Sequence, residues 1–477
     1  MALQRSLFTV AITGLLCAAS ASAADTKPAS DKDFVAYDQP LIAFTHATVI
    51  DGTGAKAARD QTLVIDHGRI VALGKSSKVK LPQDAKVIDA QGKTLMPGFV
   101  MVHEHMFYPA GGAEYNEMSY SFPRLYLAGG TTTMRTAGSM MPYADINVRD
   151  AIAKGTVIGP DMDVTGPYLN GPGLPIPAVH VLSGPDDAER TVNYWSDEGV
   201  TSYKAYMQIS RDELKRVIDT AHERKAKVTA HLCSVTYREA VDMGIDNLEH
   251  GFFVASDFVK DKQPDQCPKS PGVNDSLAAV DPKSADVKLL MRDMISHHVA
   301  LTSTLTVFET FVPNRPKAPQ GALDLMLPEV RAQYEATWNK VQGSKARMTP
   351  ETYLKLARME KQYADAGGLL LAGTDPTGYG GVVPGYSSKR EVELLVEAGF
   401  GFEQAVKVAT SNGAKYLGRD ADVGTLAVGK RADLVVIDGD PAKHVADIEH
   451  MAFVFKNGVG YDTQKIFDAT RDSVGLH

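Results

Sequence analysis

The sequence predicts an α/β protein, an eight-stranded parallel barrel joined to a small β-sandwich built from both chain ends, on three observations. Between about Met96 and Gly418, apolar runs of strand length alternate with helical stretches, the pattern of repeated βα units. Both flanks of that region instead carry short β-rich runs broken by tight turns. The middle region, roughly 320 residues, has the length of a (β/α)8, or TIM, barrel with insertions.

Taken in order, residues 1–23 read as a cleaved secretory signal, because Arg5 precedes an apolar stretch from Leu7 to Ala19 that ends in Ala21-Ser22-Ala23. That stretch is shorter than the roughly 20 residues a spanning helix needs. Leu16 is larger than the small residue that precedes a lipid-attachment cysteine, so Cys17 is not read as an anchor. The mature chain is therefore expected in the periplasm or outside the cell, with no membrane partner. Residues 24–95 form the first part of the sandwich: Ala47–Ile50, Thr62–Ile65 and Arg69–Leu73 are strands divided by Asp51-Gly52 and His67-Gly68.

Residues 96–418 form the barrel, with strands expected at 96–105, 131–136, 161–165, 200–206, 227–232, 246–251, 299–305 and 368–374. Helices are clearest at Arg211–Glu223, opened by Asp212 and Glu213, and at Ser388–Ala398, with Ser388 as N-cap, Glu391 at capping-box distance and Gly399 closing the helix. Long insertions at 261–283 and 308–350 follow the sixth and seventh strands and are expected to form a rim. Residues 419–477 return to β texture through Ala432–Ile437 and Met451–Phe455 and complete the sandwich.

A chain of 477 residues with 44% apolar and 23% charged residues has the composition of an ordinary globular protein. A net charge of −8 supplies no basic field for a phosphate backbone, which argues against a nucleic-acid partner and for a small-molecule substrate. Homo-oligomerisation is left open. Loss of the signal leaves two cysteines, Cys233 and Cys267, which an oxidising compartment would permit to pair.

The chemistry is concentrated at the strand ends. His103 and His105 stand at i and i+2 at the end of an apolar strand, so both imidazoles share a face. Lys204 lies in the fourth strand, His231 ends the fifth, His250 the sixth, and Asp375 follows the eighth in Gly373-Thr374-Asp375-Pro376. Barrels present catalytic groups at these ends. Four imidazoles and a carboxylate suit a borderline divalent metal such as zinc, whereas a protonated lysine cannot bind a cation. Arg135, at the second strand end, is a candidate for a substrate carboxylate, and Tyr206 a candidate donor to a developing oxyanion. The segment from Met106 to Phe122, with Phe107, Tyr108, Tyr115, Met118 and Tyr120, reads either as an apolar substrate pocket or as packing for the rim. Glu104 faces away from the two histidines by strand alternation and receives no catalytic role.

The set His103-x-His105, Lys204, His231, His250 and Asp375, with the late run from Gly424 to Val436, resembles the amidohydrolase superfamily in its binuclear, carboxylated-lysine branch. Leu-Glu-His-Gly and Gly-Thr-Asp-Pro are most similar to the imidazolonepropionase-like and Xaa-Pro or Xaa-Arg dipeptidase group. The resemblance implies two divalent metals, zinc by expectation, with Lys204 carboxylated by CO2 as the bridging ligand. It assigns His103, His105 and Asp375 to one metal, His231 and His250 to the other, and Asp375 to proton transfer. His231-Leu232-Cys233-Ser234 lacks the carboxylate that ring deaminases of this fold carry there, which directs the expectation to hydrolysis. The expected reaction is attack of a metal-bridging hydroxide on an amide of a dipeptide or N-acyl amino acid. A lactonase, cyclic amidase or xenobiotic amide or ester hydrolase is the alternative on the same site, and a non-catalytic binding protein is the alternative of another class.

Overall fold

The computed structural model describes residues 30–111, 114–174, 176–343 and 348–475. The proposed signal segment, residues 1–23, lies outside them.

The middle of the chain forms two arcs of parallel strands. In the first, β1 (Phe99–Glu104), β2 (Thr131–Thr136) and β3 (Asp161–Asp163) run in spatial order β3-β2-β1. In the second, β4 (Thr165–Asn170), β5 (Ser202–Ala205), β6 (Lys227–Ala230), β7 (Asn247–Glu249), β8 (Ala300–Ser303) and β9 (Leu370–Ala372) follow one another side by side. The short strand His180–Val181 pairs with the outer edge of β4. β1, β2, β5, β7, β8 and β9 are buried on both faces, which is why they read as continuous apolar or threonine-rich runs and not as alternating ones.

Hydrogen bonds join the arcs at both seams. At one, the Thr165 amide donates to Thr136 Oγ1 (2.9 Å) and the Ser139 amide to the Gly166 carbonyl (3.1 Å), tying β2 to β4. At the other, the amides of Thr374 and Asp375 both donate to the His103 carbonyl at 3.1 Å, tying the end of β9 to β1. Gly373 makes that approach: a Cβ there would stand 2.3 Å from His103 Cβ.

Two expected strands differ in detail. The strand expected over 96–105 is two elements, because Pro97-Gly98 hands the chain from the terminal sheet to β1: the Gly98 amide donates to the Asp433 carbonyl, and a Cβ at Gly98 would lie 2.3 Å from Thr132 Oγ1. The strand expected over 161–165 divides at Val164 and runs on to Asn170.

Both chain ends enter one nine-stranded sheet. Its centre is Lys93–Pro97 paired antiparallel with Leu434–Asp438. Leu41–Val49 carries Lys86–Asp89 along residues 42–45 and Lys93–Pro97 along residues 48–49 on the same edge, so the sheet curls over its own core of Ile42, Phe44, Leu63, Leu95, Leu434 and Phe455.

Helix α1 (Arg211–Glu223) has the expected bounds. Ser210 Oγ accepts from the Glu213 amide, the Glu213 carboxylate accepts from the Ser210 amide, and Leu214, Val217, Ile218 and Ala221 form its buried face. A short helix α2 (Leu305–Glu309) follows β8. Helix α3 (Ser387–Glu397) corrects the capping expectation: it starts one residue earlier, with Tyr386 as N-cap and no side-chain cap. Glu391 turns inward and caps α2, accepting from the Leu305 amide (3.1 Å) and the Thr306 amide (3.0 Å). Ser388 is itself buried, its hydroxyl paired with Thr131 Oγ1 at 3.1 Å, and the unsatisfied backbone donors at the start of α2 take the Glu391 carboxylate instead. Among the described residues no helix is long and apolar enough to cross a membrane.

Candidate metal centre

His103, His105, Lys204, His231, His250 and Asp375 line one cavity. Each comes from the C-terminal end of a different parallel strand, except the two histidines at the end of β1. His250 (φ 68°) and Asp375 (φ 51°) adopt left-handed backbone, a conformation non-glycine residues take at a cost of about 1–3 kcal/mol. That turn directs both side chains back over the strand ends.

The imidazoles are held from behind. His103 Nδ1 donates to Glu249 Oε2 at 2.7 Å and His105 Nδ1 to the Gly138 carbonyl at 3.1 Å, so in each ring Nε2 carries the free lone pair toward the cavity. His250 Nδ1 pairs with Thr304 Oγ1 at 2.9 Å. Asp375 faces them: Oδ1 is 3.2 Å from His105 Nε2, and Oδ2 is 3.7 Å from His103 Nε2 and from His250 Nδ1. His103, His250 and Asp375 each offer a ligand atom within 4.8 Å of the others, and the His231 ring lies 4.4 Å from that of His250, centroid to centroid.

Burial governs the protonation states. It lowers the His103 imidazole to about 4 and that of His231 to about 3, with Lys204 adding to both, and drives His250 well below the ordinary range. All three are neutral donors at neutral pH. Burial pushes the Asp375 carboxyl up, but His103 and His105 outweigh it and hold it below the usual carboxylate range. Lys204 is fully buried, its Nζ has no hydrogen-bond partner among the described residues, and the nearest carboxylate oxygen among them, Glu249 Oε1, is 4.0 Å away. Burial lowers its pKa to about 8.

Tyr206 lines the cavity with its ring 4.9 Å from that of His231. Arg135 does not, which corrects its expected place beside a substrate. It lies beneath the site, 1% exposed, donating to Ser202 Oγ, the Val102 and Thr229 oxygens, and Glu249 Oε1 at 3.3 Å. A guanidinium at the second strand end points into the strand ring, where Glu249 is its counter-ion.

Glu249 is the residue that sequence reasoning missed. Fully buried, it connects Arg135 to His103, and although burial alone would raise its carboxyl, Lys204, His103 and Arg135 hold it ionised. The signal was present: by alternation Asn247 and Glu249 share the face opposite Leu248, and a carboxylate inside a ring of strands demands cations. The aromatic rim segment divides between its two readings. Phe107 and Tyr115 line the cavity, Met106, Tyr108, Met118 and Phe122 are core, and Tyr120 is exposed.

Cys233, two residues beyond His231, forms a disulfide with Cys267, tying the end of β6 to the insertion after β7 with Cα atoms 4.9 Å apart.

The chain was compared with known proteins. Residues 326–461 match the amidohydrolase family model. A dihydroorotase from Thermoanaerobacter sp. (strain X514) is 38% identical over 100 residues, 21% of this chain and 22% of that protein. The chain thus aligns with about a fifth to a quarter of the length of the curated relatives it matches. Among solved structures, a Bifidobacterium longum protein provisionally named a prolidase has 26% identity and a TM-score of 0.62 over 90% of this chain and 98% of that one. An Xaa-Pro dipeptidase with methionine in its active site has 20% identity and a TM-score of 0.64 over 88% and 100%. The match over 326–461, within which Asp375 falls, and the likeness in fold over nearly the whole chain agree: residues 326–461 carry a likeness to the amidohydrolase family.

Proposed function

We propose that this chain is a metal-dependent hydrolase of amide bonds, that its two strand arcs together make a (β/α)8 barrel, and that Lys204 is carboxylated and holds a pair of divalent metals. The observation that carries the reading is Lys204 itself. A fully buried ammonium without a hydrogen bond is among the costliest arrangements a core can hold. Burial that favours the neutral amine also favours its reaction with CO2, which forms an N–C bond, releases one proton and leaves a carbamate with two ligand oxygens.

The donor set fits the metals. His103 and His105 present Nε2, His231 and His250 stand across the cavity, and Asp375 and the carbamate supply anionic oxygen. When bound there, divalent cations supply Lewis acidity and lower the pKa of water toward neutrality. The protein's own groups do the rest. Glu249 fixes the His103 tautomer, and Asp375, ionised at rest, takes the proton of the attacking water and delivers it to the leaving nitrogen. Tyr206 is placed to donate to the carbonyl oxygen as charge develops on it. Residues 1–23 direct the chain out of the cytoplasm.

Elemental analysis of protein produced with metal supplied should give two equivalents of divalent ion, with zinc the expected ion. Lys204→Ala should lose at least one equivalent and turn over amides at least 100-fold more slowly. Two retained metals with near-normal turnover would overturn the carbamate.

A further inference from the structure

The cavity over the candidate ligands is two-faced. On one face stand the imidazoles, Lys204 and Asp375, the charged residues among its described lining. The other face is a hydrophobic cluster distinct from the main core: Phe107, Tyr168 and Val179 are buried together, with Tyr115, Met140 and Ile176 packed against them. Phe107 stacks on the His105 ring at 4.5 Å, Tyr168 meets Tyr206 edge-on at 5.0 Å, and Tyr206 meets His231 edge-on at 4.9 Å. The roof rests directly on the ligand rings.

We propose that the substrate is an amide whose flanking groups are uncharged, with an aromatic or branched aliphatic group that takes its place in this roof. The proposal rests on the amidase reading above and narrows it. A carboxylate pressed against Phe107, Val179 and Ile176 would lose its water and gain no partner. An aromatic group there exchanges water for ring and methyl contacts. The tyrosine hydroxyls of the roof do not substitute for a cation, because a phenol carries no positive charge in either protonation state. Arg135, which would have paired a carboxylate, is engaged beneath the floor. The unfilled space is about 30 Å3, room for one or two waters, so the substrate displaces roof side chains. Phe107 and Tyr115 are suited to give way, because, among the described residues, the strands Phe107–Gly111 and Glu114–Glu117 pair only with each other.

The test compares three amides on the metal-loaded full chain. N-benzyl-phenylacetamide is uncharged on both sides, phenylacetylglycine carries a carboxylate on the amine side, and N-benzylsuccinamic acid carries one on the acyl side. The neutral amide should have a kcat/KM about 10-fold or more above either acid, the discrimination a hydrophobic pocket can deliver. Val179→Ser and Tyr115→Ser should each reduce that ratio. An acid hydrolysed as well as the neutral amide, or a ratio that neither substitution moves, would overturn the proposal. Calorimetric titration of the same compounds separates the two readings. Tighter binding of the neutral amide without hydrolysis would retract the amidase reading alone, and preference for an acid, or binding of none, would retract this one.

Discussion

At the scale of single residues, the candidate centre depends on groups that never reach the cavity. Glu249 accepts the His103 Nδ1 hydrogen bond at 2.7 Å and is held by Arg135 at 3.3 Å, so it sets which nitrogen of His103 faces the cavity. Partners of this kind change metal affinity by about 10–100-fold when removed. Glu249→Gln should weaken metal binding to that extent, read by chelator competition, while leaving the far-ultraviolet circular dichroism unchanged. Arg135→Met, which strands Glu249 without its counter-ion, should cost about 3–5 kcal/mol of stability, read by denaturant unfolding. Residues visible in the sequence were those whose chemistry is exposed by position at a strand end. Glu249 was missed and Arg135 misplaced because a buried ion pair joining two strands is a fact of three dimensions. Alternation marks Glu249 as facing inward, but nothing in the neighbours of either residue names its partner.

At the scale of elements, the end of β8 is held by a pair of acids. Ser303 Oγ lies 2.6 Å from Glu360 Oε2 and 2.8 Å from Glu391 Oε1, and one hydroxyl hydrogen serves one carboxylate only. One of the two acids is therefore protonated and donates to Ser303. Burial raises Glu360 well above its ordinary range and Glu391 to about 7. A carboxyl whose pKa rises on folding stabilises the fold fully below its unfolded pKa, and that contribution is lost as pH rises through the folded value. For Glu391 the loss falls between about pH 4.5 and 7. His103 and His231, held low by burial, act in the opposite sense below about pH 6.5. The Glu391 contribution is therefore read as the melting-temperature difference between the parent and Glu391→Gln, which should decline across that window. Glu360→Gln, whose amide still donates to Ser303, should be tolerated where Glu360→Ala is not. The Glu391 capping expectation failed for the same reason: spacing identifies a box, but the helix it serves was α2, 82 residues earlier at its start. The disulfide acts at this scale too. Closing a separation of 34 residues is worth about 3–4 kcal/mol by chain entropy, so reduction or the double change Cys233→Ser with Cys267→Ser should lower stability by that amount.

At the scale of the whole molecule, the parallel arcs were legible because strands buried on both faces leave long apolar runs, and α1 because its cap and its apolar stripe agree. The terminal sheet was legible in texture only. Its pairing is set between residues more than 300 positions apart, such as Met96 with Val435, and local pattern carries no such address. The seam at Gly373 has the same character: glycine there reads as a turn, and only the assembled ring shows His103 in its way. Gly373→Ala should separate β9 from β1 and lower metal content and activity together, checked by elemental analysis of the purified variant.

The pairing of Lys93–Pro97 with Leu434–Asp438 also orders events in time. During synthesis the strand that leads into His103 meets Leu41–Val49 on one edge at once, but its other edge is filled only after more than 300 further residues have emerged. Until then, the sheet from which β1 departs lacks its central antiparallel pair. Metal binding, if it needs that platform, would wait for a completed chain. A polypeptide that crosses a membrane unfolded would meet its ions on the far side, in the compartment where the Cys233–Cys267 bond can form.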